Sequence, residues 1–108
     1  METHFDHDFE ILIMFINDYF EAYPEMITKI ESAIEKLDAK TIEISSHTLK
    51  GVLANFFANS LLNALAELEK MGREENLASC KQTYQSIKPL IEHLNLELAF
   101  YKDKRKAA

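Results

Sequence analysis

Near the middle of the chain, His47, Lys50 and Gly51 combine residue types and a spacing that could support chemistry. At about 100° per residue on a helix, all three lie on the side opposite to Leu49 and should face solvent. A solvent-facing imidazole is a nucleophile near neutral pH, because a large share of it is unprotonated there. A lysine three residues away can neutralise an anionic group that the imidazole acquires. This pattern predicts reversible phosphorylation of His47.

Gly51 is unusual because a glycine inside a helix costs about 1 kcal/mol relative to alanine. At a solvent-facing position no neighbouring helix comes close enough to require a glycine. A residue that weakens its helix without improving the packing often marks a functional site. The missing side chain leaves room for a bulky group beside His47. Ile44 and Ala54 make the same face partly apolar, so we expect them to contribute to a docking surface for a partner.

The elements that position these residues are predicted to be helices. Apolar residues make up 47% of the 108 residues, with only two glycines and two prolines, which favours an all-α fold over a β-sandwich or barrel. The apolar residues recur every three or four positions almost throughout. We expect an antiparallel four-helix bundle with a shorter additional N-terminal helix, forming a single domain over residues 1–101.

The helix boundaries follow from capping residues and prolines. Asp6 or Asp8 is expected to cap the N-terminal helix, which should break near Tyr23 because Pro24 suits a first helical turn. A second helix should end near Leu37, and the next residue, an aspartate, should cap the third.

The third helix is predicted to run from about Ala39 to Phe57 and to carry the His47 motif. Asn59 or Ser60 should cap the fourth helix, and Gly72 occupies a place that suits a C-terminal cap. The last helix should continue across Pro89 with a kink, because its apolar positions keep their register there.

Charge and hydropathy limit the classes of function. The formal net charge of −6 argues against nucleic-acid binding, although residues 102–108 are basic and are expected to form a solvated, frayed tail. The absence of a long apolar run excludes a transmembrane helix, so no membrane partner is expected. One cysteine, Cys80, and an acidic start without a basic signal-peptide region favour a cytoplasmic protein.

The stretch SHTLKG at residues 46–51 resembles the H-x-L-K-G signature of histidine-containing phosphotransfer (HPt) domains of bacterial phosphorelays. The residues that lead into it, FINDYFEAYPEMITKIESAIEKLD, are similar to the first two helices of that family. Asn55 and Ala58 also match frequent family residues, whereas Val52 and Phe57 depart from the family pattern. The resemblance covers roughly residues 9–101.

The resemblance implies a role for each site residue. His47 would carry the phosphoryl group on Nε2, Lys50 would steady it, and Gly51 would leave space for it. Family members often hold Nδ1 with a Gln or Glu 22 positions later, which is Glu69 here. From the residues alone, Glu69 lies beside the apolar stripe of its helix and could equally be a solvated glutamate.

The expected function is a phosphoryl carrier and not an enzyme, because no glycine-rich loop is present to bind ATP. His47 would accept the group from a receiver-domain aspartate or a hybrid histidine kinase and relay it to a response regulator. Mg²⁺ is expected on the partner receiver domain, and this chain, expected to be a monomer, should need no cofactor or metal of its own.

Two other functions stay open at the level of sequence. The chain could be the phosphorylatable N-terminal segment of a larger chemotaxis-type histidine kinase, although its early end favours a free-standing protein. It could also be a non-catalytic helical adaptor, against which the intact His47 motif argues. Three other features are interpreted as unrelated to function: the pair His4 and His7, the core residue Cys80 and the solvated His93.

Overall fold

The computed structural model describes the backbone of residues 3–56 and 59–107 and the side chains of residues 10–56 and 59–103. Within these ranges the chain forms four α-helices, one 3₁₀ turn and no strand, which confirms the expected all-α bundle. The helices are α1 (Thr3–Glu35), α2 (Ala39–Leu53), α3 (Asn59–Arg73) and α4 (Cys80–Ala107), and the 3₁₀ turn (Ala54–Phe56) directly follows α2.

The expected break at Pro24 is not observed, and the two helices predicted on either side of it form the single helix α1. Proline removes one intrahelical hydrogen bond. Ile16 and Tyr19 before it and Ile30 after it nevertheless belong to one continuous buried face. Packing along this face outweighs the lost bond, so the predicted N-terminal helix is the first half of α1. Because α1 begins at Thr3, the predicted capping aspartates lie inside the helix.

The junction between α1 and α2 reverses the chain within three residues. Leu37 adopts a left-handed conformation (φ 55°). The amide of Asp38 donates to the carbonyl of Ala33 at 2.8 Å, and that of Leu37 to Ile34 at 3.2 Å. This is the Schellman arrangement that satisfies the last carbonyls of a helix. Asp38 also caps α2 as predicted, because its carboxylate accepts hydrogen bonds from Thr41.

Gly72 does not end its helix as expected, because the left-handed residue after α3 is Glu75 (φ 57°). Gly72 is buried inside α3 against α2. A Cβ at this position would lie 2.7 Å from the backbone nitrogen of Glu43 and 2.8 Å from the carbonyl oxygen of Ala39. The glycine therefore permits close approach of the two helices that carry the site.

The hydrophobic core lies between all four helices, which pack around it in chain order, with α4 closing against α1. Cys80 is fully buried there, as predicted. Not every aromatic residue belongs to the core, since Phe15, Phe100 and Tyr101 are exposed. The fully or almost fully buried apolar side chains include Ile16, Tyr19, Ile30, Ile42, Leu49, Leu53, Leu61, Leu65, Leu68, Ile87 and Ile91.

The last helix, α4, continues across Pro89 and reaches Ala107. The backbone of residues 102–107 is therefore helical, and the expectation of a frayed tail is wrong for this segment. Lys102 lies over the ring of Phe20, 5.9 Å from its centroid, so the start of the basic segment contacts α1. No helix in the described part of the chain has the length and apolar character needed to span a membrane.

Candidate functional site

The rotation of α2 about its axis determines which residues face solvent. Ile42, Leu49 and Leu53 are completely buried on one side of this helix. As predicted, the opposite side presents His47, whose side chain is 69% exposed, and Gly51, which is also exposed. The buried face therefore fixes the orientation of the motif before any partner is present.

The two nitrogens of His47 have different surroundings. Nδ1 lies 3.1 Å from Oε2 of Glu69, so the contact expected from the resemblance is present. An ionised carboxylate only accepts hydrogen bonds, so Nδ1 carries the proton in this contact, and in the neutral ring Nε2 then has the free lone pair. The arrangement holds the ring through one nitrogen and leaves the other for a reacting group.

Glu69 comes from α3 and its side chain is only 9% exposed. Lys50 donates a hydrogen bond from Nζ to Oε1 at 2.7 Å. This hydrogen bond is the largest of the influences that lower the pKa of Glu69, and it outweighs burial, which acts in the opposite direction. Glu69 is therefore ionised at neutral pH, and in this state of the protein the ammonium group of Lys50 is bound to it.

Arg73 also belongs to this cluster, although sequence reasoning did not identify it. Its Nη2 lies 3.2 Å from Oε2 of Glu69, and its Nε lies 3.4 Å from Oε2 of Glu43 on α2. The available signal was local, since an arginine four residues after a glutamate on a helix commonly forms an ion pair. Its contact with Glu43 on α2 is visible only in the tertiary structure.

The space beside His47 agrees with the role expected of Gly51. A Cβ built at this position meets no atom within 4 Å. Ile44 is 53% exposed one turn before His47, and Ala54 is exposed at the start of the 3₁₀ turn. A shallow groove of about 290 Å³ is lined by Lys40, Glu43, Ile44, His47, Thr48 and Glu69.

A larger cavity of about 700 Å³ shares no lining residue with this groove. Its walls come from α1, the junction between α1 and α2, the segment before α4, and α4, and the hydrogen bond from Tyr84 to Glu31 lies in its wall. The His47 cluster therefore lies at the smaller of the two, so size alone does not mark the candidate site.

The remaining candidates stay apart from the His47 cluster. His93 is 74% exposed on α4, and its Nε2 lies 3.4 Å from Glu97, which agrees with the solvated position expected for it. The side chains of His4 and His7 lie outside the described residues. Within the described part of the chain, no group of three or more histidine, cysteine, aspartate or glutamate side chains is placed to hold a metal.

Comparison with protein families identifies the kind of domain in which this cluster occurs. The model of the Hpt domain matches residues 14–99, which is most of the chain. Searches of curated proteins and of solved structures gave no match. Hpt domains are phosphocarrier modules without an ATP-binding site, and they interact with receiver domains and kinases in phosphorelays. Since the match spans both helices of the His47 cluster, the chain belongs to the Hpt domain family.

Proposed function

We propose that this chain accepts a phosphoryl group on His47 from a receiver-domain aspartate or a kinase and relays it to a response regulator. One observation carries the proposal: an imidazole that is 69% exposed has its Nδ1 held by a nearly buried carboxylate. This arrangement leaves Nε2 as the nucleophile and fixes its tautomer. An exposed histidine without such a partner would be free to rotate and to change tautomer.

The transfer step follows from this tautomer. The lone pair of His47 Nε2 attacks the phosphorus of an aspartyl phosphate, and the bond between phosphorus and the aspartate oxygen breaks. The electron pair leaves with the aspartate carboxylate. The proton stays on Nδ1, so the phosphorylated ring carries a positive charge, which the adjacent Glu69 stabilises. The reverse step delivers the group to the next aspartate.

The neighbouring residues support this step in different ways. Lys50 neutralises the phosphoryl oxygens, Gly51 leaves space for them, and the exposed Ile44 and Ala54 contact the receiver domain. The receiver brings the Mg²⁺ that its aspartyl phosphate requires. Because α2 and α3 of one chain supply the whole cluster, a monomer is sufficient for transfer.

Labelling with phosphate tests the proposal. The protein is mixed with a receiver domain, Mg²⁺ and acetyl phosphate, and phosphate that is labile in acid but stable in base is measured. Wild type should be labelled, and His47→Gln should not, while its melting temperature stays unchanged because the side chain is exposed. His93→Gln is the matched control, since it removes another exposed histidine. Labelling of His47→Gln on histidine, or loss of label in His93→Gln, would contradict the assignment.

A further inference from the structure

Two positively charged side chains, those of Lys50 and Arg73, contact the carboxylate of Glu69. Lys50 occupies Oε1 at 2.7 Å, whereas Arg73 binds Oε2 at 3.2 Å, the same oxygen that faces His47 Nδ1. The carboxylate is almost inaccessible to water, with 9% of the side chain exposed. Two cations on one nearly buried group suggest that each is needed in a different state of the protein.

Phosphorylation would disturb this balance, and the following inference rests on the proposed function. A phosphoryl group carries a charge of about −1.5 to −2 at neutral pH. Placed on Nε2 of His47, it competes with Glu69 for the ammonium group of Lys50, whose side chain is 31% exposed. When Lys50 turns toward the phosphoryl oxygens, a nearly buried carboxylate loses its shortest hydrogen bond, and removing one partner of a buried ion pair is strongly unfavourable.

We propose that Arg73 is a positioning residue that keeps Glu69 charged and aimed at His47 Nδ1 after Lys50 has moved to the phosphoryl group. The guanidinium group is suited to this task because it stays protonated and its planar fork can bind two carboxylates at once. Here it spans Glu69 on α3 and Glu43 on α2, at 3.2 and 3.4 Å. Arg73 therefore does not depend on Lys50 for its position.

The packing of α2 against α3 supports this assignment. Gly72 precedes Arg73, and its missing side chain lets the backbone of α3 approach that of Glu43. The carboxylate of Glu43 is thereby brought within reach of Arg73. The groups that face the carboxylate of Glu69 are thus His47 and Lys50 from α2 and Arg73 from its own helix, with Glu43 behind Arg73.

The first arm of the test uses unphosphorylated protein, so it does not depend on phosphotransfer. Lys50→Gln imitates the state in which Lys50 has left Glu69. NMR titration of the Glu69 carboxyl carbon and the nitrogen shifts of His47 then report the ionisation of the carboxylate and the tautomer of the ring. Arg73→Gln should raise the Glu69 midpoint slightly in wild type and several times more in the Lys50→Gln background. In that background the proton should also become less confined to Nδ1.

Two further variants complete this arm. Arg73→Lys keeps the charge and should restore part of the effect, whereas Lys70→Ala removes an exposed cation from the same turn of α3 and should change neither readout. Circular dichroism confirms that each variant is folded; if the double variant does not fold, Arg73→Gln alone is compared with Lys70→Ala. Equal shifts in both backgrounds, or an effect of Lys70→Ala as large as that of Arg73→Gln, would overturn the inference.

The second arm measures transfer from phosphorylated protein to a receiver domain. Arg73→Gln should slow transfer on the order of tenfold, by analogy with residues that orient metal-binding histidines. Lys70→Ala should leave the rate within about twofold. A normal rate for Arg73→Gln would contradict its role. Failure of wild type to become phosphorylated would instead refute the proposed function, while the NMR arm would still decide whether Arg73 holds Glu69.

Discussion

At the scale of single residues, the imidazole of His47 depends on a carboxylate from another helix. Glu69 positions Nδ1, and the hydrogen bond from Lys50 lowers the pKa of Glu69 below its ordinary range. The imidazole is thus oriented by two side chains, one of which lies on another helix. The proton on Nδ1 is held by the charge on Glu69, so the orientation of the ring depends on that carboxylate being ionised.

We expect this carboxylate to make stability depend on pH. Because folding lowers the pKa of Glu69, its contribution is complete above the ordinary glutamate pKa and is lost as the pH falls through the lowered value. The difference in unfolding free energy between wild type and Glu69→Gln should therefore shrink as the pH falls from 7 to about 3, a range set by the ordinary glutamate pKa. Urea unfolding of both proteins at several pH values measures this difference in unfolding free energy.

The control for this experiment is Glu67→Gln, which alters an exposed glutamate on the same helix. Its difference from wild type should change much less over the same pH range. If the difference for Glu69→Gln stayed constant across the range, the carboxylate would not be held in its ionised form by its neighbours, and the tautomer argument for His47 would lose its basis.

At the scale of elements, α2 and α3 contain the only two glycines of the chain, and these have opposite surroundings. A side chain at Gly51 would meet open space, whereas a side chain at Gly72 would collide with the backbone of α2. One glycine therefore concerns access to the site and the other concerns packing between the helices. Substitutions at the two glycines are therefore expected to have opposite effects on stability.

Gly51→Leu should keep or raise the melting temperature, because leucine is a better helix former and the position is exposed. It should also slow phosphotransfer sharply, since its side chain would occupy space that the phosphoryl group and the receiver need beside His47. Gly51→Ala is the smaller control and should have a weaker effect on the rate. A lower melting temperature, or a normal transfer rate for the leucine variant, would contradict the argument from steric clearance.

Gly72→Ala should destabilise the protein, because the added Cβ would lie 2.7 and 2.8 Å from backbone atoms of α2. Separating two packed helices to relieve such a contact typically costs about 1–3 kcal/mol. The contact between His47 Nδ1 and Glu69 should weaken at the same time. Urea unfolding and the nitrogen shifts of His47 measure the two effects, and a variant as stable as wild type would show that the helices separate easily here.

At the scale of the whole molecule, two long helices pack against a pair of shorter helices. The helices α1 and α4 have 33 and 28 residues, whereas α2 and α3 have 15 each. The molecule is accordingly elongated, measuring 53 × 20 × 20 Å. Among the described side chains, hydrogen bonds that join the long helices run from Tyr19 to Asn95 at 2.6 Å and from Tyr84 to Glu31 at 2.7 Å. These hydrogen bonds lie between the long helices, whereas the His47 cluster lies on the short pair.

Tyr19→Phe should lower the free energy of unfolding by about 1 kcal/mol, because the half-buried Asn95 loses its hydrogen-bond donor. The transfer rate should stay unchanged, since the tyrosine hydroxyl joins α1 to α4, whereas His47 lies on the exposed face of α2 and contacts α3 through Glu69. Tyr84→Phe should lower the free energy of unfolding by less, because the carboxylate of Glu31 still has Lys88 at 3.7 Å and access to water. A change in transfer rate for Tyr19→Phe would show that the long helices influence the site.

The sequence by itself was sufficient for features that depend on residues a few positions apart. The apolar spacing around Leu49 placed His47, Lys50 and Gly51 on the solvent side of their helix. Asp38 was recognised as a cap because its partner, Thr41, is three residues away. Such features are settled by the geometry of one helical turn, which does not change with the rest of the fold.

Only the tertiary structure decided what depends on how separate helices pack. Glu69 is 22 residues from His47, and Arg73 is 30 residues from Glu43, so their contacts exist only because α3 lies close against α2. Gly72 was misinterpreted as a helix end because its neighbour across the interface is invisible in the sequence. Pro24 was expected to break its helix for the same reason. The hydrogen bond that a proline removes is local, whereas the packing that outweighs this loss involves residues far along the chain.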